Sequence, residues 1–412
     1  MTTLLQRPKG RRLSADSVGF ILLCGALTAF PAFSIDMSMP AFPAMAASLG
    51  APTARMALTL TTFLAGFASA PLICGPLSDQ VGRRPVLLTS TAGYALASLG
   101  CAWSSSLPTL LVWRILQGMS AGAASALALS LVRDSHSGAR SRTLLSYIAV
   151  TRMVAPIVAP SLGALVLGVA SWRWIYGTMA LAGACLACAV SVGLEEGAPA
   201  PARSAGRHPL SAILPGYLAL LKQPMFVGYT VVIALAYGSH LAYVTGSSLV
   251  MLNLFHVRPA PYALLFGAAA SALMAAAFLS GRLNSRGVAG TRLILVGTCV
   301  ATFSAFCVSA LVLSPLASVT TVMPFLTLSC FAFGLAQPNA QQAALEALPR
   351  SAGAASALMS TTAMTAGALA SFGVERLFPS SGAVAMTGVM AVCSMGSLMA
   401  FVTTRRVEAA RP

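Results

Sequence analysis

The chain has 412 residues, of which 57% are hydrophobic and only 8% charged, with a mean hydropathy of +0.82. A soluble domain carries about 25% charged residues, so this composition excludes one and describes a polytopic membrane protein. The net charge of +16 would suggest nucleic acid in a soluble protein, but the side of the membrane on which the charges fall explains it without a nucleic-acid partner.

In chain order, apolar segments of about 20 residues, the length that crosses a bilayer as a helix, are predicted at 17–38, 56–78, 85–104, 108–132, 143–168, 173–193, 225–251, 260–282, 290–313, 319–342, 352–375 and 382–403. The first is too long for a cleavable signal, and no small-residue cleavage site follows it closely. With the N-terminus placed in the cytoplasm, 19 Lys and Arg fall on the cytoplasmic side, 4 on the other, and Arg114 and Arg152 inside spans. That asymmetry predicts both termini in the cytoplasm.

One long polar break, 194–223, contains Gly197-Ala-Pro-Ala-Pro-Ala-Arg203-Ser-Ala-Gly-Arg207-His-Pro209, the composition of a flexible cytoplasmic linker. It divides the chain into an N-terminal six-helix bundle, 1–193, and a C-terminal one, 224–412. A weak internal repeat supports the division: Gly75 and Leu77 after span 2 match Gly281 and Leu283 after span 8, while Asp79 has become Ser285. The predicted fold is an all-α membrane protein with twelve transmembrane helices in two pseudo-symmetric six-helix bundles and a midplane site between them.

Asp36, at the end of the first apolar run, is the acid placed within a span. A charge in hydrocarbon costs at least about 2.5 kcal/mol, and burial favours the protonated form of a carboxyl. Asp36 is thus either a proton carrier or a cap at the interface. Arg114 lies about six residues inside span 4, with Gln117 three residues on and so on the same face. Its alternatives are a wet cavity or a headgroup reached by snorkelling. Arg152, deep in span 5, reads as a partner of Asp36, a site for an anionic substrate, or a residue facing a vestibule.

Tyr237, His240 and Tyr243 fall at i, i+3 and i+6 of span 7, where they stack on cargo or serve packing, and His240 is a second proton candidate. Phe33 and Met37 are candidates for an adaptable apolar cavity wall. Glu346 and Glu375, at span ends, are expected to be solvated. The nine cysteines all lie in apolar runs and read as packing residues, Cys185-x-x-Cys188 included. Four scattered His form no catalytic or metal constellation, so no enzyme and no metal site is expected. With no Gly-x-x-x-x-Gly-Lys-Ser/Thr stretch, nucleotide drive is not expected either.

Several of these residues carry a resemblance to a known family. Gly75-Pro76-Leu77-Ser78-Asp79-Gln80-Val81-Gly82-Arg83-Arg84 resembles the loop 2–3 signature of the major facilitator superfamily. There the glycines permit a tight turn, and the loop latches the two halves; the resemblance carries that latch role to Gly75, Asp79, Gly82, Arg83 and Arg84. Arg114-Ile-Leu-Gln117-Gly118 is similar to the family's span 4 signature, which implies an arginine in the central cavity near the acid of span 1, acting on proton binding. Pro156, Pro160 and Gly163 resemble the span 5 signature of its antiporters, with Ala155 and Ala164 in place of the usual glycines.

Asp36-Met-Ser-Met-Pro40-Ala-Phe-Pro43, Gln337-Pro338-Asn339-Ala340 and Ala352-Gly-Ala-Ala-Ser356-Ala-Leu358 look like pieces of the Bcr/CflA drug-efflux branch, with Ser38 where that branch has Tyr. Asn339 thereby joins the cavity candidates beside Gln117. The resemblance implies a proton-coupled antiporter of the bacterial inner membrane that exports small, mostly apolar compounds such as drugs. It would use no cofactor beyond the proton gradient, and its partners would be substrate, protons and lipid around a monomer. A metabolite uniporter or proton symporter, and more remotely a non-transporting sensor, stay open as alternatives.

Overall fold

The computed structural model describes residues 17–135, 138–194, 217–346, 348 and 352–409. Most of the expected linker, 195–216, lies outside the described residues.

The chain is almost wholly helical: α1 (Val18–Asp36), α2 (Phe42–Leu49), α3 (Leu58–Val81), α4 (Arg83–Trp103), α5 (Leu107–Ser135), α6 (Gly138–Val169), α7 (Arg173–Gly193), α8 (Pro224–Ser248), α9 (Pro259–Ser285), α10 (Gly290–Val312), α11 (Val319–Glu346), α12 (Ala352–Ser381) and α13 (Ala383–Ala409). Among the described residues, eleven segments are long and apolar enough to cross a membrane. The remaining expected span is α6, whose described apolar stretch is Val154–Val169. Pro156 and Pro160 lie inside this helix without ending it, as membrane helices tolerate.

α1 starts where Ser17 caps it, the hydroxyl accepting from the Phe20 amide at 3.1 Å. It ends at Asp36. Pro40 and Pro43 lack amide protons and disfavour helix in the residues before them, so the chain passes through a short 3₁₀ turn, Met39–Ala41, into α2. The carboxylate therefore sits at a break in the helix.

α3 and α5 approach until backbones touch. A side chain at Gly118 would place its Cβ 2.0 Å from the Phe63 carbonyl oxygen, and one at Gly66 would lie 2.1 Å from that of Ile115. Such small-residue seams stand in for the hydrophobic effect between helices in lipid. Gly163 does the same for α6 and α1, where a Cβ would lie 2.0 Å from the Met37 carbonyl oxygen.

The buried residues divide unevenly along the membrane normal. On the side away from the described chain ends, one continuous apolar cluster joins both halves. It takes Met37, Phe42 and Met56 from the first half and Tyr243, Met251 and Phe266 from the second. Toward the chain ends the clusters separate. One is built only of residues before 194, around Leu23, Leu127 and Ile148. The others are built only of residues after 217, around Ile233, Met359 and Phe401. The molecule is thus sealed between its halves on one side and parted on the other.

Along the seam, Thr361 of α12 donates to the Ala68 carbonyl of α3 at 3.2 Å. A groove of about 460 Å³ lies between the same two helices, walled by Ala65, Ala68 and Ala368.

Two expectations about local structure change. Gly75 makes no turn: it lies inside α3, and a Cβ there would meet nothing within 4 Å. The turn is made by Gly82 alone, at φ +96, a backbone state open to glycine. Glu375 is not solvated but 8% exposed within α12, which runs on to Ser381, past the predicted end, and packs against the turn at Thr53–Ala57. Glu346 is exposed as expected, and its carboxylate accepts from Gln342 at 3.1 Å.

Candidate functional site

The close approach of α3 and α5 fixes Arg114, which is 0% exposed. Its Nε donates to the Thr59 carbonyl at 3.0 Å. Its Nη1 donates to the Ser34 carbonyl at 3.1 Å and to Gln117 Oε1 at 2.6 Å. The guanidinium also lies 4.6 Å from the centroid of the Phe63 ring and 5.8 Å from that of Tyr176, contacts worth about 2 kcal/mol where water is excluded.

Around it the network continues. Gln117 Nε2 donates to Ser98 Oγ at 2.7 Å, and Ser98 donates to the Tyr94 carbonyl at 2.7 Å. The Tyr94 hydroxyl shares a 2.6 Å bond with Ser34 Oγ, and its ring stacks on Phe30 at 4.4 Å. Among the described residues no carboxylate lies within ion-pair distance of Arg114, and its Nη2 has no hydrogen-bond partner.

Asp36 is close along the chain to this network but not part of it. It is 5% exposed, and among the described residues its carboxylate makes neither an ion pair nor a hydrogen bond. Its electrostatic influence falls on Tyr237, Tyr243 and Tyr262 of the second half, and Arg152 also acts on Tyr237. Arg152 is exposed on α6 and does not pair with Asp36.

The second half presents an aromatic wall to this acid. His240 stacks on Phe333 at 4.5 Å with the rings 5° from parallel. Tyr237 meets Phe333 edge-on at 5.5 Å, and Tyr243 stacks on Phe266 at 5.8 Å. Behind His240 and Phe333 a cavity of about 20 Å³ is left, room for about one water. The i, i+3, i+6 spacing on α8 thus delivers one aromatic face. The residues that complete it, Phe333 and Phe266, carry no signal in the sequence beyond being aromatic.

Two cavity candidates are corrected. Gln117 is 0% exposed with both ends of its amide engaged, so it positions Arg114 and reaches no cavity. Asn339 is locked between helices: its Nδ2 donates to Ser280 Oγ at 2.7 Å and to the Leu335 carbonyl at 2.9 Å, and its Oδ1 accepts from Asn284 at 2.8 Å. The residue that sequence reasoning passed over is Gln337, two positions earlier. It is 8% exposed with neither amide atom hydrogen-bonded. Phe33 and Met37 both belong to the sealing cluster, Phe33 half-buried and Met37 fully buried.

In the loop after α3, Arg83 Nε pairs with Asp134 at 3.1 Å, and its Nη1 donates to Ser78 Oγ. Arg84 Nη2 donates to the Ser191 carbonyl at 2.7 Å. These partners belong to the first half, so these bonds tie α3 and α4 to α5 and α7 on the parted side. The side chain of Asp79 lies outside the described residues.

Comparison with known proteins agrees with this architecture. Residues 22–371 match the family description Major Facilitator Superfamily. The chain belongs to that superfamily. It is a multi-pass membrane transporter by family and fold, and not an enzyme.

Among relatives of this facilitator, the "Uncharacterized MFS-type transporter YdgK" of Bacillus subtilis (strain 168) is 30% identical over 411 residues, covering 98% of each chain. The "Bicyclomycin resistance protein homolog" of Haemophilus influenzae is 27% identical, covering 94% of this chain and 97% of that one. A solved D-xylose-proton symporter superposes with TM-score 0.74 at 13% identity, covering 94% of this chain and 96% of that one. At that identity it speaks for the fold alone.

Proposed function

We propose that this facilitator is a proton-coupled exporter of small, mostly apolar compounds, drugs among them, in the bacterial cytoplasmic membrane, with both termini inside. The observation that carries this reading is Asp36: a buried carboxyl at a helix break that, among the described residues, makes no ion pair and no hydrogen bond. A charge held so is costly to keep and is relieved by a proton. The bicyclomycin-resistance name of a relative that covers nearly the whole chain supports the drug-efflux branch.

With the chain ends inside, the sealed side is the outer one and the described state is inward-facing. Asp36 then gives up its proton inward, and cargo docks against the aromatic wall. Rocking of the halves exposes both to the outside. Protonation of Asp36 weakens cargo and favours release, so the two ligands bind antagonistically. Arg114 acts through α1: it holds the Ser34 carbonyl, two residues before the acid, and so fixes where the carboxyl stands.

The test is transport in proteoliposomes with an imposed pH gradient, wild type beside Asp36→Asn, over cationic, neutral and anionic compounds. Gradient-driven export should fall at least about tenfold in Asp36→Asn while cargo binding persists, a loss of about 1.4 kcal/mol or more in the driven step. Undiminished gradient-driven transport in the variant would move proton coupling away from Asp36, with His240 next.

A further inference from the structure

Gln337 lies four residues beyond Phe333 on α11, one turn along, so both side chains leave the same face of the helix. Cys330, on that face as well, lies beside Tyr243 of α8. Phe333 itself meets Tyr237 and His240 of α8. Gln337 therefore continues the aromatic wall by one turn toward the parted side of the molecule. It is 8% exposed, and neither its amide nitrogen nor its oxygen has a partner.

Each unsatisfied buried polar atom costs about 1–3 kcal/mol. Its polar neighbour Asn339 is matched, at three distances under 3.0 Å. Gln337 alone on this face keeps both a donor and an acceptor unused. An apolar side chain of the same size would fill the space without that cost.

We propose that Gln337 is a cargo-selecting residue, and that the cargo it selects carries an amide or lactam beside a flat or apolar part. A lactam or primary amide, whose N–H and C=O share one edge, pairs with it through two antiparallel hydrogen bonds, each donating N–H to the other's carbonyl, whereas a secondary amide, trans across its bond, makes one such bond and leaves the second Gln337 atom to another polar group of the cargo. The flat part rests against Phe333, Tyr237 and His240. A site built to hydrogen-bond its ligand discriminates against analogues lacking the group, because its own buried atoms stay unpaired. The inference deepens the exporter reading and rests on it for the word cargo, but the binding it describes needs no proton gradient.

The experiment is equilibrium binding to the purified full chain in detergent, without a gradient. The probes are chloramphenicol, which has a secondary amide and an aromatic ring, and tetraphenylphosphonium, which has neither a donor nor an acceptor. Wild type is compared with Gln337→Leu and Gln337→Met, and thermal melting is read on each.

The expected result is at least about a tenfold rise in Kd for chloramphenicol, equal to about 1.4 kcal/mol. The Kd for tetraphenylphosphonium should stay within about twofold, with melting unchanged or raised. Equal weakening of both probes, no weakening of either, or failure of wild type to bind chloramphenicol would each overturn the proposal. Amide-selective binding without gradient-driven transport would leave Gln337 as the selecting residue and count against the exporter reading alone.

Discussion

Two buried glutamines, one on the fourth long helix of the first half and one on the fourth of the second, show how differently the halves are built. Gln117 of α5 spends both ends of its amide inside the first half, on Arg114 at 2.6 Å and Ser98 at 2.7 Å. Gln337 of α11 spends neither. The first half is a polar lock around a guanidinium that uses its Nε and Nη1 and leaves its Nη2 unbonded, held by glycine-mediated helix contacts. The second is an aromatic wall with an open amide. Hydrogen bonds made inside a buried network rigidify it, and a buried amide with none bears the cost of both its atoms. On the function proposed above, the first half would position the acid and the second would recognise cargo.

The largest expected effect breaks the lock at its mechanical base. A Cβ at residue 163 would stand 2.0 Å from the Met37 carbonyl oxygen, so Gly163→Ala forces α6 off α1 immediately beside Asp36. Overpacking against backbone rather than a flexible side chain sits at the upper end of its usual range, about 3 kcal/mol or more. Gly75→Ala, with nothing within 4 Å, should stabilise α3 by about 0.5–1 kcal/mol through helix propensity. Melting in detergent reads both, and equal melting of the two variants would mean that the α1–α6 seam yields freely.

This glycine pair also shows what the sequence could and could not tell. The spans, their order and the family signatures follow from apolar length and local motifs, and the described helices agree to within a few residues at most ends. Where they disagree, tertiary packing decided. α12 runs past 375 to Ser381, where the turn after it falls at Gly382, φ +54, and Glu375 is buried rather than at a helix end.

The candidate site was legible where one helix supplies it, as with Tyr237, His240 and Tyr243, or where a charge stands alone in hydrocarbon, as with Asp36 and Arg114. It was not legible where a neighbouring helix decides. Nothing local distinguishes Asn339, which meets Ser280 and Asn284 from α9, from Gln337, which meets no polar partner. The same holds for Gln117, whose inward turn depends on Ser98 of α4.

A middle-sized effect puts the same substitution into both halves. Gln117→Leu removes an acceptor from a buried cation and leaves Arg114 Nη1 with the Ser34 carbonyl only. Hydrogen bonds to charged groups are worth about 1.5–3 kcal/mol, and a loss of about 2–3 kcal/mol in unfolding free energy is expected. Gln337→Leu should cost nothing, or stabilise by about 1 kcal/mol, since no bond is lost. Denaturation of the two variants side by side sharpens the contrast if the costs differ in this sense. Matching costs would mean that Gln337 has a structural partner after all and that the halves are built alike.

The smallest effect asks whether the lock is one unit or a set of separate bonds. Tyr94→Phe deletes the hydroxyl that shares a 2.6 Å bond with Ser34 Oγ but keeps the ring stacked on Phe30 at 4.4 Å. Ser34 Oγ still donates to the Phe30 carbonyl at 2.8 Å, and the Ser34 carbonyl still receives Arg114. No buried group is orphaned, so the cost should be that of one ordinary hydrogen bond, about 1 kcal/mol, with gradient-driven transport unchanged. Separate bonds add when they share no partner, and the double variant Tyr94→Phe/Gln117→Leu should then melt at the sum of the two. A Tyr94→Phe cost as large as that of Gln117→Leu, or a double variant far from additive, would show that Ser34 transmits strain between Tyr94 and Arg114. The position of Asp36 would then depend on the whole network rather than on the single bond from Arg114 to α1.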